Sequence, residues 1–139
     1  MAPSQFSALY LGAHAFAAIV TGFGVNAILR PAHALTFFGI EKPTASADAI
    51  TIDSLMAVYG ARDIFMGIAI WAAAFCGTPK SLGWTLLAAS GVAAADGLVC
   101  YVYTTGHWNH WSYAPVFAVI GLLLLRGQNE LGSATAKKA

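Results

Sequence analysis

Four long apolar stretches run through this 139-residue chain and restrict what it can fold into. Each contains roughly 18–24 residues, and about 20 helical residues cross a hydrocarbon core of ~30 Å. They are rich in alanine and leucine and do not alternate apolar with polar residues, so strands are not expected. We therefore predict an all-α fold, a bundle of four transmembrane helices. The predicted spans are about Ser7–Leu29, Ser54–Gly77, Ser81–Tyr103 and Trp108–Leu125.

The composition agrees with a membrane environment. Hydrophobic residues make up 58% of the chain and charged residues 9%, whereas a soluble domain has about 45–50% and about 25%. The net charge of +1 gives no electrostatic reason to expect nucleic acid as a partner. The length fits one domain. We assign residues 1–126 to the transmembrane domain and 127–139 to a polar, flexible C-terminal tail. Cys76 and Cys100 fall at opposite faces of the membrane, because their spans are antiparallel, and are not expected to form a disulfide.

Capping signals and basic residues predict where the spans end and how they are oriented. Asp53-Ser54 is the predicted N-cap of the second span, and Gly77-Thr78-Pro79 is its predicted stop. The side with both termini and the second connection carries more Lys and Arg than the opposite side. By the positive-inside rule the termini face the cytoplasm, and in a eukaryotic cell the membrane would be the endoplasmic reticulum. The basic residues counted are Lys80, Arg126, Lys137 and Lys138 on one side, and Arg30 and Lys42 on the other.

Three ionised side chains interrupt the apolar stretches and give the strongest indication of function. Arg62 and Asp63 lie in the second span and Asp96 in the third. A charge at bilayer depth costs roughly 2.5–3.5 kcal/mol on insertion scales, so retained charges indicate pairing or use. At about 1.5 Å rise per helical residue, all three lie roughly 10–14 Å from the same membrane face, with Tyr59 roughly 8 Å and Asn26 roughly 5 Å deep. We therefore predict one shared polar site beside a pocket large enough for a lipophilic molecule.

These residue types suit acid/base chemistry. Arg62 and Asp63 point about 100° apart on the helix and need not pair directly, so Asp96 can be the partner of Arg62. An arginine between two carboxyl groups allows one to stay ionised as a base while the other stays protonated as an acid. The alternative is a purely structural ion pair that joins the second and third spans. The predicted catalytic residues are Asp63, Asp96, Arg62 and Tyr59, and the predicted flexible apolar lining on the same helical face is Met56 and Met66.

The third connection is rich in histidine and tryptophan. Tryptophan favours the membrane interface, so an aromatic belt explains part of this composition. His107 and His110 have the spacing of half a metal site, but no third ligand has the proper spacing, so no metal is expected. The sequence has no nucleotide loop or haem attachment motif, and no cofactor is expected. We predict that the segment forms a mouth above the pocket, with His110 as a proton relay. The predicted substrate-binding residues are Asn26, His107, Trp108, Asn109, His110 and Trp111, together with Met56 and Met66.

Four motifs resemble those of a known family. They are R-P-A-H-A-x-x-F-F-G-I from Arg30, Y-G-A-R-D-I-F-M-G from Tyr59, D-G-L-V-C from Asp96 and G-H-W-N-H-W-S-Y-A-P from Gly106. The pattern resembles the domain-of-unknown-function family 4267, small four-helix integral membrane proteins of fungi and some bacteria, over roughly residues 8–126. The resemblance implies a fold but no reaction. The size and number of spans are also similar to those of the membrane-bound anthrone oxygenases of fungi.

The polar inventory is similar to that of limonene-type epoxide hydrolases, which use an Asp–Arg–Asp set with a tyrosine and an asparagine on an unrelated soluble fold. The leading hypothesis is therefore an integral membrane enzyme that opens an epoxide in a lipophilic secondary metabolite, by hydrolysis or cyclisation. The alternatives are a cofactor-free oxygenase of anthrone-like phenols and a non-catalytic membrane scaffold or accessory subunit. The expected partners are a lipophilic substrate and membrane lipid, and the glycine content is compatible with a homodimer.

Overall fold

The chain folds into helices joined by short connections. A computed structural model describes the backbone of residues 3–136 and the side chains of residues 6–127. Within this range there is no strand, so the predicted all-α class is confirmed. Between α2 and α3 lies one short 3₁₀ turn, Thr36–Phe38. The α-helices of the described residues are α1 (Pro3–Leu29), α2 (Pro31–Leu35), α3 (Ser46–Cys76), α4 (Pro79–Tyr103), α5 (His107–Trp111) and α6 (Ala114–Ala136).

Four segments are long and apolar enough to cross a membrane, as a multi-pass membrane protein requires. They match the four predicted spans in number and order. The predicted orientation of the termini stays a prediction, because helix length and composition do not distinguish the two sides. The four segments are Phe6–Leu29, Ser46–Cys76, Pro79–Tyr103 and His107–Gly127.

Helix α3 begins eight residues earlier than predicted. Its N-cap is Ala45, so the predicted N-cap pair Asp53-Ser54 was wrong and lies inside the helix. Ser54 is accommodated there because its hydroxyl donates to the Ile50 carbonyl, 2.9 Å away. The additional turns are stabilised by packing, since Ile52 contacts an apolar cluster that includes Leu35 of α2. Propensity and capping signals alone do not include that tertiary contact.

The connection between α3 and α4 is short and agrees with the predicted stop. Thr78 is the N-cap of α4, and Pro79 follows in the first turn. The Thr78 hydroxyl accepts from the Ser81 amide (3.1 Å), and the Ser81 hydroxyl accepts from the Thr78 amide (2.8 Å). This reciprocal capping box satisfies two of the amides that a helix N-terminus leaves unpaired. The tight turn makes α3 and α4 antiparallel neighbours.

The fourth predicted span is two helices rather than one. Pro115 has no amide to donate and its ring conflicts with the carbonyl four residues earlier, so α5 ends at Trp111 and α6 begins at Ala114. At the other end, α6 continues as far as Ala136. The predicted flexible tail, residues 127–139, extends beyond the described residues and stays a prediction.

Glycine pairs bring two helix pairs into backbone contact. A Cβ atom on Gly24 of α1 would lie 2.5 Å from the Gly60 carbonyl oxygen of α3, and one on Gly60 would lie 2.5 Å from the Gly24 oxygen. Gly83 of α4 and Gly121 of α6 show the same reciprocity, at 2.9 and 2.7 Å. Small residues permit this approach where lipid supplies no hydrophobic drive for helix association. The bundle is therefore two tight pairs, α1 with α3 and α4 with α6.

Two apolar clusters lie at different levels of the bundle. The smaller one includes Ala27, Leu35 and Met56, and the larger one includes Ile70 of α3 and Phe117 of α6. Along α3, the charged pair at Arg62 and Asp63 falls between Met56 and Ile70. The polar site is therefore enclosed by apolar packing above and below.

Candidate functional site

The three ionisable side chains of the spans meet across the α3–α4 interface. Arg62 Nη1 donates to Asp96 Oδ1 (2.9 Å) and Nη2 donates to Asp96 Oδ2 (2.8 Å), a bidentate pair. Nη2 also donates to Asp63 Oδ1 (3.0 Å), and Nε lies 3.3 Å from the same oxygen. Asp96 was the predicted partner of Arg62, and this pairing is confirmed. The guanidinium group thus joins two carboxyl groups that lie on different helices.

Local geometry explains how adjacent residues both reach the site. Asp63 points toward the bundle interior and is only 3% exposed. Arg62 lies about 100° around the helix, is half-buried, and bends its long side chain back to reach both carboxylates. One turn earlier, the Tyr59 ring lies 4.3 Å from the guanidinium carbon. This cation–π contact covers the planar face of the guanidinium group, whereas its N–H groups donate in the plane to the carboxylates.

Both carboxyl groups border one small internal cavity. Asp63 and Asp96 line it together with Tyr59, Tyr113 and Met66, and apolar side chains complete the wall. Its volume is about 20 Å³, which is roughly enough for one water molecule. This cavity is therefore too small to be the predicted pocket for a lipophilic molecule. The helices pack around the site closely enough to leave a space for water alone.

A tyrosine that sequence reasoning did not single out extends this site. Tyr113 lines the cavity, and its hydroxyl lies 3.1 Å from His110 Nδ1. His110 is 2% exposed, and its Nε2 is buried with no hydrogen-bond partner among the described residues. Tyr113 follows His110 by three residues and lies in the turn between α5 and α6, which brings its hydroxyl back to the imidazole. The signal in the sequence was a tyrosine within the same aromatic connection as His110.

Two predicted substrate-binding asparagines take part in structural bonds. Asn109 Nδ2 donates to the Phe37 carbonyl (2.9 Å), which ties α5 to the turn after α2. Asn26 Oδ1 lies 3.0 Å from His33 Nδ1, which links α1 to α2. Neither asparagine lines the cavity described above. Their side chains hold the segments that cover this end of the bundle.

The aromatic residues of α5 form a surface beside α4, mostly through edge-to-face and tilted ring contacts. Trp111 packs against Gly97, and its indole Nε1 donates to the Ala94 carbonyl (3.2 Å). The His107 ring lies 5.5 Å from the Tyr101 ring, whereas Trp108 is 69% exposed. These three predicted binding residues face α4 or the exterior rather than the cavity. Met56 belongs to the smaller apolar cluster, so Met66 is the predicted lining residue that reaches the cavity.

The remaining reactive side chains are dispersed. Cys76 and Cys100 are both free, as predicted, with Cys76 exposed and Cys100 buried. Over residues 6–127, no group of three histidine, cysteine or carboxylate side chains comes together in a way that could hold a metal ion. His107 and His110 therefore do not form part of such a group in the described region.

Comparison with known proteins identifies a family. The family model described as a domain of unknown function, DUF4267, matches residues 17–124. This range covers most of the chain and includes the whole Arg62–Asp63–Asp96 site, so the chain belongs to that family, as the sequence motifs indicated. No curated protein and no solved structure matches the chain.

Proposed function

We propose that this member of the DUF4267 family is an intramembrane acid/base enzyme that opens an epoxide in a lipophilic metabolite. The observation that carries the proposal is the guanidinium group of Arg62, bonded to Asp63 and Asp96 while both carboxyl groups border one water-sized cavity. Epoxide opening requires a base for the attacking oxygen and an acid for the leaving oxygen. Two carboxyl groups at one cavity can supply both.

Charge balance supports one proton shared between the two aspartates. Arg62 carries one positive charge, so two ionised aspartates would leave the site with one net negative charge. An unbalanced charge at bilayer depth costs roughly 2.5–3.5 kcal/mol or more. A single proton on either aspartate makes the set neutral. The neutral set consists of one carboxylate and one carboxylic acid, the pair that the reaction needs.

The bonding pattern supports a role for each aspartate. Asp96 binds Arg62 through both oxygens, which is the geometry of an ionised carboxylate. The bonds from Arg62 to Asp63 go to Oδ1, which leaves Oδ2 of Asp63 as the site for a proton. We assign Asp96 as the base and Asp63 as the acid. Arg62 keeps one carboxyl group ionised while the other is protonated, and its hydrogen bonds hold both in position.

The proposed step is balanced in atoms and electrons. Asp96 takes a proton from water or from a hydroxyl group of the substrate, and that oxygen forms a bond to one epoxide carbon. The bond between that carbon and the ring oxygen breaks, its electron pair moves to the oxygen, and the oxygen takes the proton of Asp63. Water gives a diol, and an internal hydroxyl gives a cyclic ether. The step consumes no oxidant or reductant.

The tyrosines complete the proposed site. Tyr59 and Tyr113 line the cavity and carry hydroxyl groups that can orient a water molecule or the epoxide oxygen. After one turnover Asp96 holds a proton and Asp63 has lost one, so a proton must move between them. We propose Tyr113, which lines the cavity beside both aspartates, as the relay for that proton, with His110 Nδ1 3.1 Å from its hydroxyl. The proposal retains the orientation with cytoplasmic termini, in the endoplasmic reticulum if the cell is eukaryotic.

Turnover by purified protein tests the proposal. In lipid nanodiscs, the wild type should convert an epoxide-bearing terpenoid or polyketide to a diol or cyclic ether. Incubation in ¹⁸O-water distinguishes the two, because only the diol gains the label. Asp63→Asn and Asp96→Asn should each lower kcat by roughly 10²–10⁴-fold, the usual contribution of a positioned acid or base. Asp53→Asn, a carboxylate of the same helix paired with Lys42, is the matched control.

Two outcomes would contradict the proposal. Full activity in both Asp63→Asn and Asp96→Asn would exclude the mechanism. Consumption of dissolved oxygen coupled to product would favour the oxygenase alternative, since neither hydrolysis nor cyclisation uses oxygen.

A third class of function, a structural scaffold, is supported by the same Arg62–Asp96 pair because it joins α3 to α4. A scaffold predicts that both asparagine variants lose stability while no epoxide raises the Tm of the wild type.

A further inference from the structure

A second, larger cavity opens at the outer side of the α3–α4 interface. Its volume is about 210 Å³, which exceeds the roughly 150 Å³ of an engineered cavity that binds benzene. Phe65, at its edge, is 69% exposed, so this groove opens toward the surroundings of the bundle rather than into its centre. We call it the lateral groove. Its lining residues are Phe65, Met66, Ala69, Thr85, Ala88, Ala89 and Val92.

The lateral groove and the water-sized cavity share part of their walls. Met66 of α3 and Ala89 of α4 line both. The partition between the groove and the cavity therefore consists, at this level, of one methionine and one alanine side chain. Methionine is unbranched and has several rotatable bonds, so it changes shape at low cost. Movement of the Met66 side chain would join the groove to the cavity that Asp63 and Asp96 border.

The chemistry of the groove lining favours an apolar ligand. The lining residues are alanine, valine, methionine and phenylalanine, with one hydroxyl group on Thr85. That hydroxyl donates to the Ser81 carbonyl of its own helix (2.9 Å) and is not available as a donor to a ligand. A guest in the groove would thus gain from burying apolar surface. Its polar part would be stable only beyond the partition, at the aspartates.

We propose that the lateral groove binds the apolar body of the substrate while its epoxide oxygen reaches Asp63 past Met66. This inference rests on the proposed function. The substrate is then an elongated amphiphile with its reactive group near one end. From Asp63 to Ala69 is about 9 Å along α3, and from Asp96 to Thr85 is about 16 Å along α4. The apolar body accordingly runs from the aspartates toward the α3–α4 turn and enters sideways from lipid.

A photolabelling experiment tests the groove without depending on turnover. The probe is a terminal 1,2-epoxyalkane that carries a diazirine near the far end of its chain. The control probe is the same diazirine alkane without the epoxide. Full-length protein in nanodiscs is irradiated with each probe, and labelled peptides are mapped by mass spectrometry. The epoxide probe should label Ala69 and the Thr85–Val92 stretch preferentially, and the hydrocarbon probe should label them about tenfold less, because it lacks the polar anchor.

A pair of alanine variants provides the structural control. Ala88→Leu places a larger side chain in the groove, whereas Ala95→Leu adds the same side chain to an exposed position two turns further along the same helix. Labelling of the groove by the epoxide probe should fall at least about tenfold in Ala88→Leu, the loss expected when one side chain's worth of apolar burial is denied. Ala95→Leu should label like the wild type.

The outcomes separate this inference from the proposed function. Equal labelling by both probes, or unchanged labelling in Ala88→Leu, would mean that lipid or a second copy of the chain covers the groove. Either result overturns the inference and leaves turnover by Asp63 and Asp96 untouched. Selective groove labelling by the epoxide probe, in a wild type that never converts any epoxide, supports the groove as a site for an oxygenated amphiphile and contradicts epoxide opening instead.

Discussion

Helix α3 packs against α1 and against α4 through different kinds of contact. Toward α1, Gly24 and Gly60 bring the two backbones so close that a Cβ atom on either would lie 2.5 Å from the other's carbonyl oxygen. Toward α4, the long side chain of Arg62 reaches Asp96, and the same interface holds a cavity and the lateral groove. The α1–α3 interface leaves the two helices no room to move, because the contact is between backbone atoms, which cannot change rotamer as side chains can. The α3–α4 interface is held by side chains and has room for chemistry.

The contrast indicates how a small bundle can host a site. Close packing of α1 on α3 and of α4 on α6 supplies rigid pairs, with Gly83 and Gly121 repeating the glycine contact in the second. The α3–α4 interface between these pairs is then free to carry charge. A polar set in lipid is stable only if it is paired, so Arg62 both closes the interface and satisfies the aspartates. Four substitutions test this division, in descending order of expected effect.

The largest loss of stability should follow removal of the cation. Arg62→Gln leaves two acidic groups without a positive partner, and breaking a buried ion pair from one side typically costs about 3–5 kcal/mol. We expect about 3 kcal/mol here because Arg62 is half-buried. The measurement is the free energy of unfolding in mixed micelles during a titration with sodium dodecyl sulfate, followed by circular dichroism.

A charge-neutral variant is the matched control for the cation. Arg62→Gln combined with Asp63→Asn and Asp96→Asn removes all three charges and should recover most of the stability lost in Arg62→Gln alone. If the triple variant is as unstable as the single one, shape rather than charge holds the α3–α4 interface. In that case the contrast with the glycine interface disappears.

The next effect tests the rigid interface. Gly24→Ala forces a methyl group against the Gly60 carbonyl, and overpacking of this kind costs roughly 1–3 kcal/mol. Gly22→Ala, two residues away on the same helix, meets nothing within 4 Å and should be neutral or slightly stabilising. The same micelle unfolding titration compares the two. Similar stability in both variants would show that the α1–α3 backbones are not in contact.

A smaller effect is expected at the interface of α4 with α6. The Ser90 hydroxyl donates to the Ala114 carbonyl, 2.8 Å away. Hydrogen bonds between membrane helices contribute about 0.6 kcal/mol on average, so Ser90→Ala should lose about that amount. The measurement is again the unfolding free energy, with activity assayed in parallel. A loss as large as that of Arg62→Gln would mean that this pair, too, depends on polar bonding.

The smallest effect should come from the ion pair near the end of the bundle. Lys42 Nζ lies 2.7 Å from Asp53 Oδ1, but both side chains are partly exposed. Exposed pairs contribute roughly 0.2–1 kcal/mol and are screened by salt. Lys42→Gln should therefore lower the free energy of unfolding by about 0.5 kcal/mol at low salt. The loss should be smaller at 0.5 M NaCl, because the Debye length there is roughly below 5 Å. A loss that is insensitive to salt would indicate that Asp53 is shielded from solvent as the carboxyl groups bonded to Arg62 are.

The sequence predicted more of the site's composition than of its shape. The pairing of Arg62 with Asp96 followed from depth, because rise along a helix is constant and antiparallel neighbours share levels. The early start of α3, the cavity lining by Tyr113 and the structural use of Asn26 and Asn109 did not follow. Each of these depends on which face of a helix meets which neighbour. That rotation is decided by contacts between residues far apart in the chain.

Apolar length, and the few charges within it, were enough by themselves to establish four spanning helices and to name the arginine and aspartates that meet inside them. Only the tertiary structure decided how much space surrounds these groups. Cavity volume depends on the sum of all side chains that converge from several helices, and a change of one methyl group alters it. A space for one water at the carboxylates, with a wider apolar groove behind Met66, is a property of that packing.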